Sequence, residues 1–498
     1  MTIDIIGNRV HVAGTNNGIM LRNFQQTAGS VLNGRVVNNV VTGQTPYAGF
    51  PGAIVISADG HHHINAVVTN NTLVDNNAGI GVSARTDLGA SINGVVANNI
   101  IANTVRWGLY IDQSVAATVP NNNNLLYNTP VEDPADPNFT PGPGTIMANP
   151  QFFAANDFHL KPTSPAVNGG ANAQVPGDIV SDLDATARIK SGVVDIGAFE
   201  SVSAFSDFSA EGRSDILLRN SSTGQIVQYH MNGTNITAAG IVGNPGTSYS
   251  VATIGDYNGD GKADLALQNS STNEIAVWLM NGFSLVAGVL TGNPGAGWKA
   301  VGSGDFNGDA KADIILYNTI SGDIAVWLMN GGTVASGSVL GTPGTAYRFV
   351  AAADFNADGK ADVLLRNATT GDLALWLMNG TTITGGAVIP GAGPDWVPTA
   401  AADTNLDRKA DIFLRNQTSG DIALWQMNGF AIAAGYLVGS PGAAYSMPGV
   451  ADYNGDAKAD VLLRDSSGNI VMWLLDGGTI TTGALISSPG SAWTVTAN

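Results

Sequence analysis

From residue 205 onward, short apolar runs alternate with Asn-Gly and Ser-Gly punctuation, and the pattern returns every 49 residues. Each copy opens on an aromatic residue (Tyr249, Trp298, Tyr347, Trp396, Tyr445) and passes through an acidic loop into a run such as Ala312-Asp313-Ile314-Ile315-Leu316. A Ser-Gly-Asp turn leads to Ile324-Ala325-Val326-Trp327-Leu328-Met329-Asn330-Gly331, and a Gly-rich run closes the copy. Runs this short, bounded by turn residues and without helical periodicity, predict units of four hairpin-linked strands. Repeats of roughly 40 to 50 residues are the size of propeller blades. Six copies fill residues 205–498, so the pattern predicts one ring of six blades, with seven as the alternative. The tail Ala492-Trp493-Thr494-Val495 repeats the opening of a copy without its loop. It is expected to complete the first blade and join the ends of the ring, leaving no open sheet edge; a truncated longer array is the rival reading.

Residues 1–128 follow a looser rhythm. Asn38-Asn39, Asn70-Asn71, Asn98-Asn99 and Asn121 to Asn124 are flanked by Val-Val or Ile-Ile runs, at spacings of 32, 28 and 25 residues. Such intervals suit successive coils of parallel strands, and an inward Asn at each coil can stack its amide into a ladder. A short right-handed parallel β-helix of four or five coils is therefore expected, with coils missing before Met1. Residues 129–204 are Pro-rich and aperiodic, and form a cap or linker expected to pack on the last coil. The fold class predicted is all-β, a β-helix followed by a propeller.

The acidic loops carry the clearest chemistry. Asp256, Asn258, Asp260 and Asp264 occupy positions 1, 3, 5 and 9, with Gly259 and Gly261 permitting the tight turn. The set recurs as Asp305, Asn307, Asp309, Asp313; Asp354, Asn356, Asp358, Asp362; Asp403, Asn405, Asp407, Asp411; and Asp452, Asn454, Asp456, Asp460. The first copy deviates, with Asp207, Ser209, Glu211 and Asp215. Oxygens at odd positions, with a carbonyl at position 7, suit Ca²⁺, a hard cation that takes several oxygen ligands. Plain turn chemistry is the simpler alternative, since Asp, Asn and Gly favour tight turns without metal. Three carboxylates within nine residues repel one another unless a cation sits among them.

Loops such as Asp-Phe-Asn-Gly-Asp-Ala-Lys-Ala-Asp resemble the FG-GAP or VCBS repeats of integrin-like propellers and many secreted bacterial proteins. That resemblance implies calcium on the blade hairpins and an extracellular, secreted or surface-attached bacterial protein. The N-terminal stretch resembles the pectate-lyase-like superfamily. Asn149-Pro150-Gln151-Phe152, Phe158-His159-Leu160, Ser164-Pro165-Ala166 and Val194-Asp195-Ile196-Gly197-Ala198-Phe199-Glu200 resemble the choice-of-anchor Q tail that follows many bacterial β-helices.

Composition narrows the partners. With 39 acidic and 21 basic residues, a net charge of −18 argues against nucleic acid and anionic membranes. Cysteine is absent, which excludes disulfides and thiolate metal sites. No apolar run is long enough to cross a membrane, and a monomer is expected. Eighteen of the 39 acids lie in the loops, so six Ca²⁺ would offset 12 of the 18 net negative charges. Trp278, Trp327, Trp376, Trp425 and Trp473, with Tyr229 in the first copy, recur at one strand position, and Trp298, Trp396 and Trp493 precede the loops. Filling the space between blades is their expected role; a ring of sugar-stacking platforms is the alternative.

A candidate active site rests on Asp59, Asp87 and Asp112, spaced 28 and 25 residues apart, beside Arg85, Arg106, Trp107, Tyr110 and His61 to His63. Acids stacked on successive coils would suit glycoside hydrolysis, or a lyase in which Arg85 or a histidine removes the proton. Solvated corner residues are the simpler reading. The three adjacent histidines alternate faces on a strand and do not suit one zinc ion. The leading functional reading is a calcium-stabilised extracellular protein that binds glycans or a cell surface. A polysaccharide lyase or hydrolase with an accessory propeller is the alternative.

Overall fold

Each Asn-Asn pair marks a corner where the chain turns from one parallel sheet to the next. In the computed structural model, Thr2–Ile6, Val31–Val37, His63–Thr69, Ser91–Ala97 and Asn121–Asn122 stack in parallel as a first sheet. A second comprises Arg9–Gly14, Val40–Gln44, Thr72–Val74, Ile100–Ala102 and Leu125–Tyr127, and a third Ile19–Asn23, Ile54–Ala58, Ala78–Ala84 and Trp107–Ile111. Together they form a parallel β-solenoid filled by Leu21, Val36, Val41, Ile54, Ile80, Ile101 and their neighbours. The structure describes all residues except 24–28, 46–51, 131–139, 162–163, 185–187, 190–192, 202–205 and 497–498. It forms two compact units, Met1–Ser201 and Val202–Asn498. The boundary expected at 204/205 lies outside the described residues.

The second Asn of each pair builds the ladder. Asn39 Nδ2 donates to Asn71 Oδ1 at 2.9 Å, Asn71 to Asn99 at 2.9 Å and Asn99 to Asn124 at 3.0 Å. Asn8, outside the sequence pattern, extends it by donating to Asn39 at 3.0 Å. The first Asn of each pair takes the left-handed conformation that Asn tolerates best among side-chain-bearing residues, with φ of 54° at Asn38, Asn70 and Asn98. Asn99→Ala would leave the buried Asn71 main-chain N–H without its acceptor, whereas Asn71 Nδ2 keeps the Val36 and Thr69 carbonyls. For one buried donor left unpaired, a loss of about 1–3 kcal/mol is expected in urea unfolding of this unit. A change within experimental error would show that the ladder is dispensable.

Residues 142–146 pack on the last coil as expected, Ile146 pairing in parallel with Leu125, but the described residues beyond them run along the flank of the second sheet. Phe158, Leu160, Ala166, Ile196, Ala198 and Phe199 pack on Val40, Val74, Ile100, Ala102 and Leu125, which belong to successive coils. The first Asn of each pair explains this course. Asn38 donates to the Ser181 carbonyl at 2.8 Å, Asn70 to Asp195 at 3.1 Å and Asn98 to Ala171 at 3.1 Å, so the corners anchor the segment laterally.

In the second unit, six four-stranded antiparallel sheets form six blades. A representative blade contains Tyr249–Gly255, Asp264–Asn269, Ile275–Asn281 and Ser284–Gly292. The first blade comprises Ile216–Asn220, Ile226–Asn232 and Asn235–Gly243, and its fourth strand is Trp493–Thr496 from the end of the chain. Leu217, Leu218, Arg219 and Asn220 pair with Thr496, Val495, Thr494 and Trp493, so the tail closes the ring as the repeat predicted. The repeated tryptophans sit at blade seams: a Cβ built on Gly243, Gly341 or Gly439 would lie 2.9–3.2 Å from the ring of Trp278, Trp376 or Trp473 in the following blade. The first blade is the divergent one. Its fully buried Gln228 has neither amide atom partnered, at the position held by Val277, Val326, Leu375, Leu424 and Met472 elsewhere.

Candidate metal-binding loops of the propeller

In blades two to six each acidic loop joins the first strand to the second, in the first blade it leads into Ile216–Asn220, and each lies against the next blade. The main-chain N–H at position 8 donates to the position-1 carbonyl of the preceding blade: Ala263 to Asp207 at 2.7 Å, Ala312 to Asp256 at 2.6 Å, Ala361 to Asp305 at 2.7 Å, Ala410 to Asp354 at 2.7 Å and Ala459 to Asp403 at 3.0 Å. Ser214 to Asp452 at 2.7 Å completes the circuit across the closing seam. The loops therefore connect neighbouring blades as well as turn the chain. Positions 4 and 6 take positive φ in all six loops, including Leu406 at 67° and Arg408 at 66°, where side chains replace the usual glycine.

Within a loop, the position-1 carboxylate gathers main-chain N–H groups. Asp256 Oδ1 accepts from Gly259 at 2.7 Å and Asp260 at 3.1 Å, and its Oδ2 accepts from Gly261 at 2.7 Å. Asn258 Oδ1 accepts from Asp260 at 2.9 Å, while Asp260 Oδ1 accepts from Lys262 at 3.0 Å. The position-9 aspartates have a role not foreseen from sequence. Asp264 Oδ2 accepts from Tyr257 N at 3.0 Å and Oδ1 from Met280 N at 2.7 Å, pinning the loop to the third strand. The same pair of bonds recurs at Asp215, Asp313, Asp362, Asp411 and Asp460.

These carboxylates are poorly solvated. Burial pushes Asp264 up to about 8, with Asp256 and Asp260 adding to the rise against the two N–H donors. Asp215 and Asp460 are likewise pushed up to about 8, and Asp313 and Asp362 to about 7, with burial the largest cause in each. Burial raises Asp256, Asp403 and Asp452 to about 6. Among the described residues, no three His, Asp or Glu side chains are gathered tightly enough to hold a metal ion as the loops stand. The donor set still matches a hard cation in kind: Asp, Asn, Asp and Asp supply only oxygen, and an oxygen that accepts one N–H keeps a second lone pair. Position 7 is basic in all six loops; in the first, Arg213 pairs with Glu211 at 2.7 Å and donates to the Met231 carbonyl at 2.9 Å, whereas Lys311 stands 3.7 Å from Asp309.

The candidate catalytic acids lie at equivalent corners after the strands of the third sheet, each engaged locally. Asp59 accepts from Arg22 at 2.6 Å. Asp87 pairs with Arg85 at 3.0 Å, and that guanidinium holds its carboxyl below the usual range. Asp112 accepts from Ser114 Oγ at 2.6 Å and Ser114 N at 2.8 Å. His62 faces Ser30 and His63 faces Ser91, while His61 is exposed, so adjacent histidines take separate surroundings. Trp107, beside Tyr110, is fully buried.

A closed ring of four-stranded blades with a loop at each seam defines a modular β-propeller protein. The FG-GAP-like repeat family matches residues 207–267, 256–316, 311–365, 354–414 and 403–463, and the chain belongs to this family. Among solved structures, a nidogen/laminin complex is similar at 11% identity and a TM-score of 0.42, over 57% of this chain and 96% of that one. A protein of unknown function from Bacteroides caccae matches at 10% identity and a TM-score of 0.32, over 54% and 93%. A β-propeller domain from Myceliophteria thermophila matches at 10% identity and a TM-score of 0.34, over 59% and 88%. No match was found among curated proteins. Among the described residues, no helix is long and apolar enough to cross a membrane.

Proposed function

We propose that this is an extracellular calcium-binding propeller protein whose regular loops, five in number, each hold one Ca²⁺ and stiffen the blade seams. The observation that carries this reading is the oxygen set repeated in Asp256–Asp264, Asp305–Asp313, Asp354–Asp362, Asp403–Asp411 and Asp452–Asp460, with buried carboxylates that raise one another's pKa. A divalent cation would relieve that repulsion. Asp, Asn and Asp at positions 1, 3 and 5 would hold it with the position-9 acid and the position-7 carbonyl. The first loop, with Ser209 and Glu211 in place of Asn and Asp and with Glu211 held by Arg213 at 2.7 Å, is assigned no ion. FG-GAP repeats are typical of extracellular proteins, which supports secretion or surface attachment and a glycan or cell-surface ligand. The half-buried seam tryptophans lend no support to a sugar-stacking ring, and the locally paired Asp59, Asp87 and Asp112 lend none to a lyase or hydrolase.

Equilibrium dialysis against Ca²⁺ should return five ions per chain, and EDTA should lower the melting temperature of the propeller. A ligand bound only to the folded state at about 100 times its Kd stabilises it by about 2.7 kcal/mol per site. Fewer than one bound ion per chain, with melting unaffected by EDTA, would remove calcium and leave the loops as self-bonded turns. A glycan array probed with the calcium-loaded protein tests the ligand: no binding to any glycan or to bacterial cells would withdraw that part.

A further inference from the structure

The short hairpin formed by Phe152–Ala154 and Asp157–Leu160 places His159 between two carboxylates. Its Nδ1 meets Asp157, and its Nε2 lies 2.5 Å from Asp184. An ionised carboxylate only accepts hydrogen bonds, so both ring nitrogens must carry protons and the ring is an imidazolium. Arg9, from an edge strand of the second sheet, pairs with Asp184 at 3.0 Å and lies 5.0 Å over the Phe199 ring. Phe199 also packs 4.2 Å from His159. Among the described residues, the charged groups facing this ring are therefore Asp157 from the hairpin, Asp184 from the neighbouring segment with Asp182 two residues away, and Arg9 from the sheet. Together they join three segments distant in sequence at the point where Phe158, Leu160 and Phe199 cover the apolar flank of the second sheet.

We propose that His159 is a charged clasp that holds this covering segment on the solenoid and releases it in alkaline solution, uncovering the apolar sheet face beneath. Burial opposes the charge, but hydrogen bonds with Asp157 and Asp184 outweigh it and push the ring up to about 9. A folded-state pKa raised above the ordinary 6.5 gives stability that is fully present below pH 6.5 and is lost as pH rises through about 9. The range of action is alkaline, outside that of an unperturbed histidine.

Two measurements on the full chain test this. Histidine C2–H exchange read by mass spectrometry should give His159 a pKa near 9, whereas a value near 6.5 would overturn the proposal. Backbone hydrogen exchange at residues 152–160 and 182–184, corrected for the intrinsic pH effect, should show the opening constant rising roughly tenfold to a hundredfold from about pH 7 to 10. His159→Gln should be open at both pH values without that rise. An unchanged opening constant in the native chain, or the same rise in H159Q, would overturn the clasp. If H159Q fails to fold, the two native-chain measurements still decide.

Discussion

Arg188→Met is expected to cost about 3–5 kcal/mol in the first unit, the usual penalty for breaking a buried ion pair from one side. Arg188 pairs with Glu200, both side chains being 1% exposed, and donates to Asn38 Oδ1 at 3.1 Å and the Asp195 carbonyl at 3.2 Å. Without the guanidinium, Glu200 would share its site with Asp195 and Asp182 and no cation among the described residues. Burial and Asp195 already push Glu200 well above the ordinary range, so it would take up a proton, which limits the loss without removing it. Urea unfolding, with hydrogen exchange followed at residues 164–200, measures the effect. Recovery of a large part of the loss in Arg188→Met/Glu200→Gln would confirm its electrostatic origin. A loss under about 1 kcal/mol would mean that solvent reaches Glu200 freely.

Asp313→Ala is expected to destabilise the propeller by roughly 2–6 kcal/mol even in EDTA, because it leaves two buried main-chain N–H groups without acceptors. Phe306 N donates to Asp313 Oδ2 at 3.0 Å and Met329 N to Oδ1 at 2.8 Å, and Asp313 is fully buried. Asp309, at position 5 of the same loop, is 39% exposed. Asp309→Ala should change stability little in EDTA, yet remove one ion from the calcium stoichiometry. Parallel denaturant melts with and without Ca²⁺ thus separate the pin from the ligand. If Asp313→Ala proves harmful only when calcium is present, position 9 acts through the ion alone.

Much of this architecture was legible in the chain because repetition exposes it. Asp207 to Asp452 recur at one interval and Trp493 reopens a copy, so six blades with a closing strand was the leading reading, and the pairing of Trp493–Thr496 with the first blade decided it over seven blades or a longer array. The ladder through Asn39, Asn71, Asn99 and Asn124 was equally legible, since an inward amide in a stacked coil has its own equivalent as its nearest polar partner. Position 9 was legible only in part: as a carboxylate at ligand spacing it reads as a metal donor, and nothing local reveals that Met280 N, 16 residues on, donates to Asp264 from the third strand.

What only the tertiary structure decided are the contacts between segments far apart in the chain. The first Asn of each pair was not told apart from the second; its left-handed φ places it at the corner, and that its amide anchors Ser181, Asp195 or Ala171 depends on chain 73 to 143 residues away. Arg188 with Glu200, and His159 between Asp157 and Asp184, belong to an aperiodic stretch where no repeat reports which charges will meet. The sequence by itself determined the strands, coils and blades, because their hydrogen bonds are set by local alternation and fixed period. Where the described residues from 152 to 160 and 193 to 200 lie was decided by burial of Phe158, Leu160 and Phe199 on the second sheet, a surface that exists only once the coils have stacked.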